Sequence, residues 1–149
     1  MPNIQVSLII SSQSIHLTSL QHLCNRLTWC TLIIDSKHMA SQMIRADIAI
    51  GASGSTAWER CCLGLPCLTT INAENQLLIA KNLNDSGATI NLGWYKDISS
   101  SMIYDKIEQL ILHPKKYQMM VENCFNVCDG LGAQRVTSAL LNKELPKSA

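Results

Sequence analysis

Five short runs of β-branched and apolar residues punctuate this chain, and each is followed by a stretch of helical periodicity. The runs are Ile4–Ile10 (IQVSLII), Thr31–Ile34, Asp47–Ile50, Cys67–Ile71 and Ala88–Leu92. Near-continuous apolar runs of this kind suit strands buried on both faces. Helical spacing fills the intervals. Ile15–Leu27 places Leu17, Leu20, Leu23, Cys24 and Leu27 on one face, and Lys37–Arg45 does the same with Met39, Met43 and Ile44. Ala57–Leu63 and Gln76–Asn84 follow, stopped by Gly64-Leu65-Pro66 and Asp85-Ser86-Gly87. Helices at Ser100–Leu112, Lys115–Cys128 and Gly132–Leu145 complete the pattern, separated by Pro114 and by Asp129-Gly130. Strand–helix alternation predicts an α/β fold, a parallel sheet flanked by helices with right-handed crossovers. At 149 residues the chain has the size of one domain, expected over 4–145, with 146–149 as a tail.

Composition removes several function classes. Lys and Arg number 12 against 11 Asp and Glu, a balance unsuited to gripping a nucleic-acid backbone. No apolar run is long enough to span a bilayer, and Met1-Pro2-Asn3 lacks the basic start of a signal peptide. Seven cysteines, an odd number without a C-x-x-C, fit neither a disulfide framework nor a zinc knuckle. Cys124 and Cys128 share a helix face and with a nearby His could hold metal, but buried thiols in a reducing cytoplasm are the plainer expectation. A cytoplasmic location follows from these features.

Parallel sheets bind ligands beyond the carboxyl ends of their strands. The loops Ser11–Ser14, Asp35–Lys37, Gly51–Thr56 and Asn72–Gln76 therefore gather the candidate residues. Gly51-Ala52-Ser53-Gly54-Ser55-Thr56 is the most informative. Its glycines allow close backbone approach, and Ser53, Ser55 and Thr56 offer hydroxyls to phosphate or sugar oxygens. It lacks the Lys of a phosphate-binding P-loop and the final Gly of a nucleophile elbow, and Ala52-Ser53 breaks the G-x-G of a dinucleotide fingerprint. Two roles remain open on spacing alone: an anion site, or a tight turn capped by Ser55 or Thr56. Glu59, one turn later, suits either dipole compensation or the two hydroxyls of a ribose. Trp58 is expected to pack and Arg60 to be solvated. The amide-rich loop Asn72-Ala73-Glu74-Asn75-Gln76 suits hydroxyl and amide ligands or the capping of the next helix. His16, His22, His38 and His113 are the candidate general bases, and none sits in a recognisable catalytic motif.

The run Ala46–Pro66, with Gly51-Ala52-Ser53-Gly54-Ser55-Thr56-Ala57-Trp58-Glu59-Arg60 at its centre, resembles the signature of the UDP-sugar hydrolase family of the pseudaminic-acid pathway (PseG). Ala73-Glu74-Asn75-Gln76 and Ser86-Gly87-Ala88 are similar to that family too. More distantly the pattern resembles the Rossmann-like C-terminal domain of MurG-like, family 28 glycosyltransferases of the GT-B fold. The resemblance covers Ile4 to Leu141. It implies hydrolysis of UDP-2,4-diacetamido-2,4,6-trideoxy-β-L-altropyranose to UDP and free sugar, with neither metal nor cofactor. It also implies a set of site residues. Ser53, Gly54, Ser55 and Thr56 would meet the diphosphate, with Gly51 also in the nucleotide site, and Glu59 would meet the ribose. Asn75 and Gln76 would reach the phosphate and sugar. Ile34, Asp35 and Met39 would lie near the uracil, and Ser12 and Gln13 would close the phosphate pocket. In that family an N-terminal domain carries a glycine-rich loop with the general-base His, and this chain has no G-x-G-H run. The expectation is a UDP- or UDP-sugar-binding half that hydrolyses little alone and works with a separate N-terminal-domain-like protein. A donor-binding glycosyltransferase subunit and a non-catalytic nucleotide-sugar module are the alternatives.

Overall fold

A computed structural model describes residues 4–141; the end of the last expected helix and the tail lie outside them. The chain forms two compact units, the first through Gln42 and the second from Met43.

In the first unit, β1 (Val6–Ile10) and β2 (Cys30–Ile34) pair in parallel, Val6 opposite Cys30 and Ile10 opposite Ile34. Helix α1 (Leu17–Cys24) connects them. It is shorter than its apolar pattern at both ends. Ile15 is 92% exposed and precedes the helix, while Leu27 donates only to Cys24 O, three residues back, as the chain tightens out of the helix. Helix α2 (Met39–Ile44) runs across the boundary between the units.

In the second unit, β3 (Ala49–Ala52), β4 (Cys67–Ile71) and β5 (Thr89–Trp94) form a parallel sheet in that order. Parallel pairing is as the alternation requires. The strands form two separate ladders, β1–β2 and β3–β4–β5, where the sequence pattern suggested one sheet. Helices α3 (Thr56–Cys62) and α4 (Leu77–Asp85) make the crossovers, α4 entered through a 3₁₀ turn at Glu74–Gln76. Helices α5 (Ser100–Leu112), α6 (Pro114–Val127) and α7 (Gly132–Leu140) follow. The Ser99 hydroxyl caps α5 by accepting from Met102 N at 3.2 Å, and Pro114 opens α6, where its missing N–H costs nothing.

Two apolar clusters hold this unit together. Ala57, Cys61, Leu83, Ala88 and Cys124 form one; Leu68, Leu92, Leu110 and Met120 form the other. Side chains alternate across a strand, so Leu68 joins the second cluster while its neighbours Cys67 and Thr69 face the opposite side. Helix α3 ends in a Schellman arrangement: Gly64 N donates to Cys61 O and Leu65 N to Arg60 O, both at 3.0 Å. Gly64 takes φ +65°, a conformation that only glycine adopts without strain. That stop returns the chain through buried Leu65 and Pro66 into β4. It thereby fixes where β4 ends beside the loop after β3.

Candidate functional site

The loop between β3 and α3 is shorter than its sequence suggested. Gly51 and Ala52 belong to β3, opposite Thr69 and Thr70, and Ser53 N still donates to Thr70 O at 2.9 Å. Strand pairing with β4 therefore consumes the first half of the glycine-serine run. What is left is the bend Ser53-Gly54-Ser55, with Thr56 already the first residue of α3. Ser53 is fully buried, and its Oγ has no hydrogen-bond partner among the described residues.

Of the two roles left open for this run, the tight turn capped by Ser55 or Thr56 is not completed by a side-chain bond. Ser55 occupies the N-cap position, but its side chain makes no capping hydrogen bond. Its φ of −56° and ψ of −35° are already helical, whereas a capping serine adopts an extended backbone. The carbonyls of Gly54 and Ser55 accept from Ala57 N and Trp58 N, while the amides of Gly54 and Ser55 donate to no group among the described residues. Two backbone donors thus stand together at the carboxyl end of the sheet, an arrangement suited to oxygen ligands carrying negative charge.

The loop after β4 meets this bend. Thr70 Oγ1 donates to Asn72 Oδ1 at 2.8 Å, and Asn72 N donates to Gln76 Oε1 at 2.9 Å. These bonds turn the Gln76 side chain back over β4. Its Nε2 lies 3.9 Å from where a β-carbon of Gly54 would stand. Gln76 therefore joins Gly54 at one place. Asn75 is exposed, and its side chain makes no hydrogen bond among the described residues. Glu59 stands one turn into α3, exposed, and its carboxylate has no ion pair or hydrogen-bond partner among the described residues.

Two expectations about α3 are corrected. Trp58 is 40% exposed rather than packed. Arg60, expected in solvent, is 6% exposed. Its Nε donates to Thr56 O at 3.1 Å, Nη2 to Ala52 O at 2.9 Å and Nη1 to Cys67 Sγ at 2.8 Å. Burial pushes the Cys67 thiol up to about 11, against the pull of Arg60. Local periodicity gives no warning of this placement. The one available signal is that Arg60 opens a stretch, residues 61–73, without another charge.

The remaining predicted residues lie in the first unit. Ser12 N donates to Asp35 Oδ1 at 2.9 Å, and Asp35 N donates to Ile10 O at 3.0 Å, so the loops after β1 and β2 are joined through one aspartate. Asp35 has φ +48°, which an aspartate tolerates better than most residues. Hydrogen bonds from Ser12, hydroxyl and amide, hold its carboxyl below the usual range. Gln13 is exposed and donates its amide to Ser11 Oγ. Ile34 ends β2, partly exposed, and the half-buried Met39 begins α2. No group of three or more metal-ligating side chains occurs among the described residues. Nor is any described helix long and apolar enough to cross a membrane.

Comparison with known proteins bears on the family and the fold. The sequence matches the glycosyltransferase family 28 C-terminal domain over residues 3–136. It is 29% identical over 133 residues to the spore coat polysaccharide biosynthesis protein SpsG of Bacillus subtilis (strain 168), a match covering 89% of this chain and 39% of that protein. In structure it is similar to the glycotransferase of kitacinnamycin, with a TM-score of 0.63 at 13% identity, over 95% of this chain and 43% of the other. The chain thus spans less than half the length of either protein. The architecture is that of the C-terminal half of a GT-B glycosyltransferase, parallel strands flanked by helices. With the family matched over nearly its whole length, the chain belongs to the glycosyltransferase family 28 C-terminal domain family.

Proposed function

We propose that residues 4–145 serve as the donor-binding domain of a glycosyl-transfer enzyme that uses a UDP-sugar. The observation that carries this reading is the bend Ser53-Gly54-Ser55. Its two free amides, with the Gln76 amide beside Gly54, fit the diphosphate, and the unpartnered Glu59 one turn later fits the ribose hydroxyls. Ser12, Gln13, Ile34, Asp35 and Met39 belong to the first unit, and their assignment to uracil and phosphate rests on the resemblance alone. Transfer itself needs an acceptor site and a general base. His16 and His38 lie in the loops after β1 and β2 of the first unit, and no histidine lies in the bend Ser53-Gly54-Ser55 or in the loop 72–76; in this reading a second domain or protein supplies the acceptor site and the base. Family membership favours glycosyl transfer over hydrolysis. The hydrolase reading keeps one support, the signature run Ala46–Pro66. Transfer of the sugar to an acceptor or to water, with the opposing domain added, separates the two.

Thermal stability with UDP, UMP, GDP and NAD tests the donor assignment. At a hundredfold excess over the dissociation constant, one-site binding adds about 2.7 kcal/mol. A rise selective for UDP is expected. An equal rise with all four ligands, or none, overturns the reading.

A further inference from the structure

Arg60 is a buried cation with no counter-charge among the described residues. It is 6% exposed, and its three contacts are two carbonyls and one thiol. Because burial holds the Cys67 thiol protonated at neutral pH, the sulfur offers no negative charge. No carboxylate forms an ion pair with Arg60 among the described residues. Taking a guanidinium out of water is costly unless an opposite charge accompanies it. The two carbonyls it holds, Ala52 O and Thr56 O, are those immediately before and after Ser53-Gly54-Ser55. The fork of one side chain therefore clamps both ends of the bend from behind.

We propose that Arg60 is the positioning residue of the anion site: its guanidinium fixes the bend from beneath, and its unmatched positive charge is balanced by the diphosphate of the bound nucleotide. This deepens the donor-binding reading and rests on it. Arg60 acts through the backbone it holds and through its field, without touching the ligand. The planar fork matters as well as the charge, because three donors must reach three acceptors at once. The field acts most strongly on the more highly charged ligand, so its signature is a preference for UDP over UMP.

The test measures affinity for UDP, UMP and uridine in the wild type and in Arg60→Met, Arg60→Lys and Cys67→Asp, with circular dichroism to confirm folding. Arg60→Met is expected to weaken UDP by about tenfold or more and to shrink the UDP-over-UMP preference. Arg60→Lys, which keeps the charge but loses the fork, should recover part of that preference. Cys67→Asp places a carboxylate beside Nη1. It should hold Arg60 at least as firmly yet weaken UDP, because the charge is then matched internally. A purely structural Arg60 predicts equal losses for UDP and UMP in Arg60→Met and unchanged UDP binding in Cys67→Asp, and those results overturn the proposal. Should Arg60→Met not fold, Arg60→Lys and Cys67→Asp decide the matter in the same way. A wild type that binds UDP no better than uridine brings down the donor-binding reading itself, an outcome distinct from normal UDP binding that is indifferent to these substitutions.

Discussion

The guanidinium of Arg60 lies so close to Gly51 that a β-carbon on residue 51 would stand 2.7 Å from Nη1. Glycine is present in β3 to admit a side chain from α3. Gly51→Ala should therefore displace Arg60 from Ala52 O and cost about 1–3 kcal/mol, as overpacking in a closed interior does. Urea unfolding of Gly51→Ala, Arg60→Met and the double variant checks the relationship. The losses should be non-additive, since each change removes the reason for the other; additive losses would show that the two residues do not share the space.

Glu59 is exposed and unpartnered, so removing its carboxylate should leave the fold untouched. Glu59→Ala is expected to change stability by no more than about 0.5 kcal/mol. If the carboxylate accepts from the ribose, UDP affinity should fall by about 1.5–3 kcal/mol, the range for hydrogen bonds to charged groups. Calorimetric titration with UDP reads both the affinity and its loss. Unchanged affinity would exclude Glu59 from the site.

Gly64 carries two constraints that can be separated. Its φ of +65° disfavours any side chain, and a β-carbon there would stand 2.3 Å from Cζ of Phe125. Phe125 is half exposed, so its ring can swing aside, but the backbone angle cannot relax. Gly64→Ala should cost at least about 1–2 kcal/mol from the left-handed backbone alone. That part should persist when Phe125→Ala is also present. Complete recovery in the double variant would mean that the ring, and not the backbone, sets the cost.

Acid should weaken two loop anchors. The Arg135 guanidinium, followed by the Leu131 amide, holds the Asp129 carboxyl down to about 2. Hydrogen bonds from Ser12 lower that of Asp35. A carboxyl whose folded value is depressed contributes stability that is fully present above its unfolded value, about 3.9, and that is lost as pH falls toward the folded value. For Asp129 the window runs from that ordinary value down to about 2. Carboxyl carbon shifts followed by NMR should place the Asp129 midpoint near the lower limit. Asp129→Asn should remove its share of the acid dependence. A midpoint at the ordinary carboxylate value would refute the pairing with Arg135.

The local sequence determined the order of strands and helices. β-Branched runs, helical spacing and the stop at Gly64-Leu65-Pro66 are signals carried within a few residues of where they act. β4 and α5 accordingly fall where the pattern puts them. The loop after β3 stands out as the candidate site from the same kind of local signal. Tertiary structure decided the rest. β3 runs on through Gly51 and Ala52 because Thr69 and Thr70 of β4 are there to pair with them, and no property of Gly51 itself announces that partner. Ser53 is buried and Ser55 fails to cap because the neighbouring strand, not the serines, sets the course of the bend. Arg60 turns inward because two carbonyls, a thiol and a bare glycine await it, groups that lie between four and nine residues away along the chain. A charged side chain goes to water unless folding assembles its acceptors. That assembly is a property of strands brought side by side, and a helix read alone cannot reveal it.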